Sequence, residues 1–384
     1  MSKERFPSLF RPLEIAGRTL KNRVYQTPMS VCYADKEGYV TPALIEHYGR
    51  RAQGGVAMVM TENVAVSVAG RQLPRQALIS EERFLPGLTK LAAEIKKHGA
   101  LAVIQLVHAG RYAGPWDEYE KRRRLSPSAL PFPLTVSRVV TPQEITRQEM
   151  QETIEAFGTA AVLAKRAGFD GVEIHGAQGF LLSAFVSPHM NHRTDEYGGR
   201  FENRIRFPLE VVREVMDRVG QDLLVGYHML SDELLPDGWT LEESGAFAKR
   251  LEEEHVHFLI PVTATFESLK RPENSDLMSR TMFEVAGSAA LKQVVDIPVL
   301  VHGRLGDPYV AEHVLAHGEA DAIGLARPLF TDPDWVNKVE SGRLKEIRTC
   351  PCDPSRCLQT QLTGSICSHW PEDAIQRGYL GYSD

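Results

Sequence analysis

His175 and Gln178 stand three residues apart in Val172-Glu173-Ile174-His175-Gly176-Ala177-Gln178-Gly179-Phe180, which follows the turn signal Gly168-Phe169-Asp170-Gly171. The run with Val and Ile reads as a buried strand, and the polar pair falls just past its end, where both side chains can turn toward one cavity. An imidazole and a primary amide there can donate to or accept from a bound polar group. Read alone, the pair could equally be a core histidine satisfied by a carbonyl beside an ordinary loop glutamine. Two further sets carry chemistry. Val301-His302-Gly303-Arg304 and Gly324-Leu325-Ala326-Arg327 each join glycine to arginine at a strand end, the combination that grips a phosphate through backbone N–H groups and a two-pronged guanidinium. Cys350, Cys352, Cys357 and Cys367 fall within eighteen residues, too clustered for a secreted disulfide framework and closer to a metal or cluster site.

Positioning these groups requires strand ends that converge. Eight short apolar runs recur, at 23–28, 56–61, 101–106, 171–174, 223–227, 258–262, 298–301 and 322–325. Between them lie segments with helical periodicity at 42–53, 85–98, 148–166, 203–219, 241–254, 283–294 and 309–316. Eight strands with seven helical segments between them predict a TIM (β/α)8 barrel, in which chemistry gathers at the carboxyl ends of the strands and phosphate after strands seven and eight. The predicted organisation is a barrel over 1–348 with a Cys-rich C-terminal extension over 349–384. After strand three, residues 109–146 form a long excursion carrying Pro115, Pro127, Pro131, Pro133 and Pro142, read as a lid over the barrel mouth.

Of the 384 residues, 43% are hydrophobic and 24% charged, with a formal net charge of −6, which gives no footprint for nucleic acid. The run Lys121-Arg122-Arg123-Arg124 is local and reads as a solvated loop or a phosphate contact. No window approaches the roughly 18 apolar residues of a membrane span and the N-terminus lacks a signal-peptide core, so the expectation is a cytoplasmic protein without membrane attachment. A small-molecule substrate and a homo-oligomeric assembly are expected.

The stretch His175-Gly176-Ala177-Gln178-Gly179-Phe180-Leu181-Leu182, followed by Ser187-Pro188, Asn191, Arg193-Thr194-Asp195 and Tyr197-Gly198-Gly199, resembles the signature of the old yellow enzyme family of FMN-dependent oxidoreductases. It is similar in particular to the bacterial branch that includes 2,4-dienoyl-CoA reductase and trimethylamine dehydrogenase. The resemblance runs from Phe6 to about Arg348. It implies that Gly303, Arg304, Gly324 and Arg327 hold the FMN phosphate. Thr27, Pro28, Met29, Asn63 and Gln105 would surround the isoalloxazine ring. His228 stands where relatives carry an arginine toward the flavin's N1 and O2 edge, so its charge is conditional where theirs is permanent.

The resemblance further implies a hydride from NADH or NADPH, and then an activated alkene held by His175 and Gln178. Relatives protonate the product from a tyrosine two residues beyond the second donor. Phe180 occupies that position, which leaves Tyr112 as the first candidate acid, with Tyr33 and Cys32 in reserve. The expected reaction is NAD(P)H-dependent reduction of a C=C bond beside a carbonyl or acyl group. An amine dehydrogenase or demethylase is the alternative, and a flavin-binding protein without catalysis a second. At the position of Cys350, Cys352, Cys357 and Cys367 the dienoyl-CoA reductase branch holds a [4Fe–4S] cluster. The first pair here has one intervening residue in place of two, which keeps Zn²⁺ and free thiols open. No Gly-x-Gly-x-x-Gly follows a strand, so a cluster would draw electrons from a separate donor protein.

Overall fold

The computed structural model describes residues 2–114, 124–135, 137–350, 356–370 and 372. All eight expected strands form: β1 Val24–Gln26, β2 Met58–Ala65, β3 Leu101–Val107, β4 Gly171–Gly176, β5 Leu224–Asp232, β6 Phe258–Thr263, β7 Leu300–Val301 and β8 Ala322–Leu325. They are parallel and hydrogen-bonded in the order β6-β5-β4-β3-β2-β1-β8-β7. A parallel bridge between Leu259 in β6 and Val299 just before β7 joins the two edges, so the sheet closes into the expected barrel. The helices alternate with them: α1 Pro42–Gln53, α2 Leu85–Lys96, α3 Arg147–Arg166, α4 Arg206–Val219, α5 Leu241–Glu253, α6 Val285–Leu291 and α7 Pro308–Ala316. Thr146 and Thr240 cap α3 and α5 with reciprocal bonds to Glu149 and Glu243, which fixes where each helix starts. Two expected helices are shorter than their periodicity by three residues or more: a separate turn, Phe201–Arg204, precedes α4, and α6 ends before the β-branched pair Val294-Val295. No described helix is long and apolar enough to cross a membrane.

The strands are apolar on both faces, as a parallel sheet under a helical shell requires. Alternate residues divide between two cores. Tyr25, Met58, Met60, Val103, Phe258, Ile260 and Leu300 fill the barrel interior, while Val59, Ile104, Val172, Ile174 and Leu259 pack outward against the helices. An antiparallel hairpin, Leu13–Ile15 with Arg18–Leu20, adds Leu13, Ile15 and Leu20 to the interior core and plugs the amino-terminal end of the barrel. The open end is therefore the one to which the strands deliver their last residues.

The lid excursion has structure of its own. A 3-10 turn at Gly110–Tyr112 leads out of β3, Leu125–Ser126 pairs with Gln143–Glu144, and Phe132–Thr135 pairs antiparallel with Arg138–Val140. Pro115 and Lys121-Arg122-Arg123 lie outside the described residues. Lys270 Nζ ties the hairpin down by donating to the carbonyls of Pro133 and Leu134 at 2.6 and 3.0 Å. The C-terminal segment is stitched to the barrel: Ser365 N donates to Val31 O (2.9 Å), Gln361 Nε2 to Ser30 O (2.9 Å) and Trp370 Nε1 to Phe330 O (2.7 Å).

Gly324 shows how tight the interior is, because a Cβ there would lie 2.5 Å from the ring of Tyr25 on the neighbouring strand. Gly324→Ala is expected to cost about 1–3 kcal/mol of stability in the flavin-free protein, as over-packing does. Urea unfolding measures it, and an unchanged midpoint would mean that the glycine serves only a ligand.

Candidate active site

The carboxyl ends of all eight strands meet at a cavity of about 710 Å³. Thr27 and Pro28 follow β1, Asn63 lies in β2, Gln105 in β3, His175 and Gln178 in and after β4, and His228 in β5. Thr263 and Ala264 close β6, His302, Gly303 and Arg304 follow β7, and Gly324 and Arg327 come from β8 and the turn after it. Three non-glycine lining residues have left-handed backbones: Gln178 (φ 60°), Ala264 (φ 73°) and Arg304 (φ 58°). Side chains of L-residues resist that region, so the surrounding fold imposes it.

At one end, Arg304 and Arg327 face the cavity beside the backbones of Gly303 and Gly324, and neither guanidinium pairs with a carboxylate among the described residues. Two unpaired cations lining a cavity with two glycine turns suit a phosphate, so this end fits the tail of FMN. The glycines have a second role, since a Cβ on Gly303 (φ 108°) would press on Glu284 at 2.9 Å. At the other end, Asn63 Oδ1 accepts from Ser30 Oγ (3.1 Å) and Gln76 Nε2 (3.0 Å), which leaves its N–H₂ group to the cavity. Gln105 is turned the other way round. Its Nε2 donates to the Glu173 carboxylate and lies 2.9 Å from His228 Nδ1, so its carbonyl oxygen remains. These edges alternate donor and acceptor, as the rim of an isoalloxazine ring does.

His175 Nδ1 accepts from Ala177 N at 3.3 Å, which places the proton of the neutral ring on Nε2 as a donor. Burial pushes its pKa down to about 3, with His228 adding to the drop and Glu173 opposing it, so the ring is neutral throughout the physiological range. Gln178 hydrogen-bonds the same ring, and Phe180 meets it edge-on at 4.7 Å. The arrangement offers uncharged N–H donors in a water-poor pocket.

Several residues expected at the site are elsewhere. Met29 packs against the core and does not line the cavity. Tyr112 does not reach it either: its hydroxyl accepts from Arg111 Nη2 (3.3 Å) and its ring is boxed by Phe132, Phe180 and Phe266. Phe180 fills the space between Tyr112 and His175. Tyr33 bonds the carbonyl of Ser365, and Cys32 is buried with its thiol pushed up by burial and by Glu62. Cys350 lines the far edge of the cavity, while Cys357 and Cys367 are buried in the C-terminal segment. Cys352 lies outside the described residues, and among those residues no three His, Cys, Asp or Glu side chains converge on one point.

Three participants were not foreseen. Glu173 is fully buried behind His228, His302 lines the cavity after β7, and Glu284 accepts from Thr263 N (2.6 Å) with its carboxyl pushed up to about 8 by burial. The signal for Glu173 was present: a period of two puts it on the same face as His175, and a carboxylate inside an apolar strand must be answered by a partner.

The model of the NADH:flavin oxidoreductase / NADH oxidase family matches residues 8–346. An NADH oxidase of Thermoanaerobacter brockii is 37% identical over 350 residues, 90% of this chain and 52% of the relative, so the chain spans about half the length of that protein. An NADPH dehydrogenase of a Geobacillus species is 35% identical over 328 residues, 85% of this chain and 92% of its own length. A solved 2-naphthoyl-CoA reductase in complex with 2-naphthoyl-CoA superposes with a TM-score of 0.90 at 28% identity, over 98% of this chain and 58% of that one. A barrel that gathers a cationic turn pair, a donor–acceptor rim and a neutral His–Gln pair at one mouth, and that is matched along nearly all its length, belongs to the NADH:flavin oxidoreductase family, the old yellow enzyme family.

Proposed function

We propose that this chain binds FMN and uses NADH or NADPH to reduce a C=C bond conjugated to a carbonyl or acyl group. The observation that carries this reading is the neutral His175–Gln178 pair, placed on the wall of the same cavity that ends in Arg304 and Arg327. FMN, when bound, supplies hydride transfer, and the residues of this chain do the rest. Arg304 and Arg327 fix the phosphate, Asn63 and Gln105 orient the ring edge, and the His175–Gln178 pair donates to the substrate's carbonyl oxygen. As hydride reaches the β-carbon, negative charge grows on that oxygen, and preset donors in a dry pocket stabilise it more than they stabilise the ground state. Phe180 and Phe266 keep water away from this side. The names of the similar 2-naphthoyl-CoA reductase and NADPH dehydrogenase support this direction of reaction.

A second reading, oxidation of an amine, draws on one observation. Phe180 is apolar and the Tyr112 hydroxyl points at Arg111, so neither places a proton donor beside His175. Amine oxidation needs no acid there. The four cysteines are proposed to hold a [4Fe–4S] cluster that takes electrons from a separate donor protein, with Zn²⁺ as the alternative outcome.

Purification without oxygen, followed by a visible spectrum and iron, zinc and sulfide assays, should show flavin and about four irons per chain. A protein without flavin would overturn the reading. Bleaching of the flavin by NADH or NADPH and recovery with an enone is expected, and bleaching by a methylated amine alone would favour amine oxidation. His175→Ala should lower kcat/KM by about 10² to 10³ with the FMN content unchanged, as loss of a preset donor does. Arg327→Ala should instead weaken FMN binding by roughly tenfold or more, the worth of a charge-assisted bond, read by equilibrium dialysis.

A further inference from the structure

Glu267 stands where four loops of the barrel mouth meet. Its Oε2 accepts from Arg111 Nη2 at 2.5 Å and its Oε1 faces His189 Nε2 at 3.3 Å, while the other ring nitrogen of His189, Nδ1, faces Asp237 Oδ2 at 3.0 Å. Arg111, His189 and Asp237 belong to the loops after β3, β4 and β5, and Glu267 to the loop after β6. With a carboxylate opposite each nitrogen, only the doubly protonated ring donates to both. The geometry therefore calls for an imidazolium.

The residues beside Glu267 are the ones that back Gln178. That glutamine has a left-handed backbone (φ 60°), which needs support from outside, and Phe266 N donates to its carbonyl oxygen at 3.3 Å. The segment that delivers this bond is a closed turn: Thr265 N donates to Ser268 Oγ (2.8 Å), Ser268 N to Thr265 Oγ1 (3.2 Å) and Leu269 N to Thr265 O (3.0 Å). Phe266 and Leu269 present their side chains to the cavity from it. Glu267 anchors the turn to the other three loops.

We propose that Glu267 is a positioning residue for Gln178, and that His189 is the arm of its clamp that can be switched. With the ring charged, the turn after β6 is held against Gln178; with the ring neutral, one of the two carboxylates loses its donor and the hold slackens. This rests on the proposed reading of His175 and Gln178 as the substrate grip.

The charges around the clamp keep it closed at neutral pH. The bond to Glu267 and then that to Asp237 hold His189 up to about 9, against the opposing effect of burial. Burial alone would raise the Glu267 carboxyl, but the bonds and charges of His189 and Arg111 bring it down to about 2. Glu233, pushed up by burial, also faces His189 and Arg111; Arg271 acts on Asp237, and Lys270 and Tyr112 face Glu267. Because His189 is raised from 6.5, the contribution of its charge is complete below that value and is lost as the pH climbs through about 9.

In the FMN-loaded protein turning over an enone, kcat/KM is expected to fall roughly three- to tenfold as the pH rises through about 9, the worth of one hydrogen bond. His189→Gln keeps a donor without the charge, so it should show the reduced value already at neutral pH and no further fall. Identical profiles in the two proteins overturn the role of His189. Two measurements on the flavin-free protein test the clamp itself. Nitrogen-15 spectra should show both ring nitrogens of His189 carrying hydrogen at neutral pH, with a titration near 9 that Glu267→Gln lowers. Hydrogen-exchange protection of the Phe266 N–H should fall several-fold in Glu267→Gln and in His189→Gln. A neutral His189 ring at neutral pH overturns the clamp, and unchanged Phe266 protection in both variants overturns the positioning role. Neither measurement needs FMN, so a protein that binds none would count against the flavin reading alone.

Discussion

A carboxyl group with no exposure to water, Glu173, dictates much of what surrounds it. Leaving such a group unanswered in the interior costs several kcal/mol, so the ends of three strands are arranged to answer it. Gln105 from β3 gives its amide to the carboxyl and with the same nitrogen meets His228 Nδ1 from β5 at 2.9 Å, and the register that pairs Glu173 with both Gln105 and Gly226 brings those side chains within reach. Satisfying Glu173 consumes the amide nitrogen of Gln105 and thereby decides which atom of that residue the cavity sees. It also fixes the His228 ring on which His175 stacks. The polarity of one whole wall follows from a single buried acid.

The barrel was legible because its signals are local and repeated. Each strand is an apolar run closed by turn residues, and α3 and α5 announce their starts with Thr146…Glu149 and Thr240…Glu243. That the Gly303–Arg304 and Gly324–Arg327 turns share one cavity with the His175–Gln178 pair was equally readable, since position at a strand end is set by order along the chain. Tyr112 and Met29 were misplaced for another reason. Both lie in loops, where the direction of a side chain is set by tertiary neighbours: the aromatic box of Phe132, Phe180 and Phe266 takes the Tyr112 ring, and the outer core takes Met29. His302 was read only as a neighbour of Gly303, because nothing in the sequence places the ends of β5 and β7 side by side across the mouth.

Electrostatics around the mouth divide into two regimes. The inner wall, with His175, His228 and His302, is held neutral by burial. A few residues outward, His189 is drawn up to about 9 by its bonds to Glu267 and Asp237, and Glu267 in turn pairs with the buried Arg111. That charged set links the loops after β3, β4, β5 and β6, so the rim is tied by ion pairs beside a wall of neutral histidines.

The hydrogen bonds of Lys270 to the lid hairpin have a mechanical meaning. Lys270 ends the 3-10 turn Ser268–Lys270; Leu269 N, one residue earlier, donates back to Thr265 O (3.0 Å), and Phe266 N donates to Gln178 O (3.3 Å) beside the Gln178–Thr265 bridge. The lid is thus connected to the backbone of the strained residue that, in the reading above, grips the substrate. The hairpin and the backbone of Gln178 thus belong to one run of hydrogen bonds, so a change that frees the hairpin also removes support from that residue.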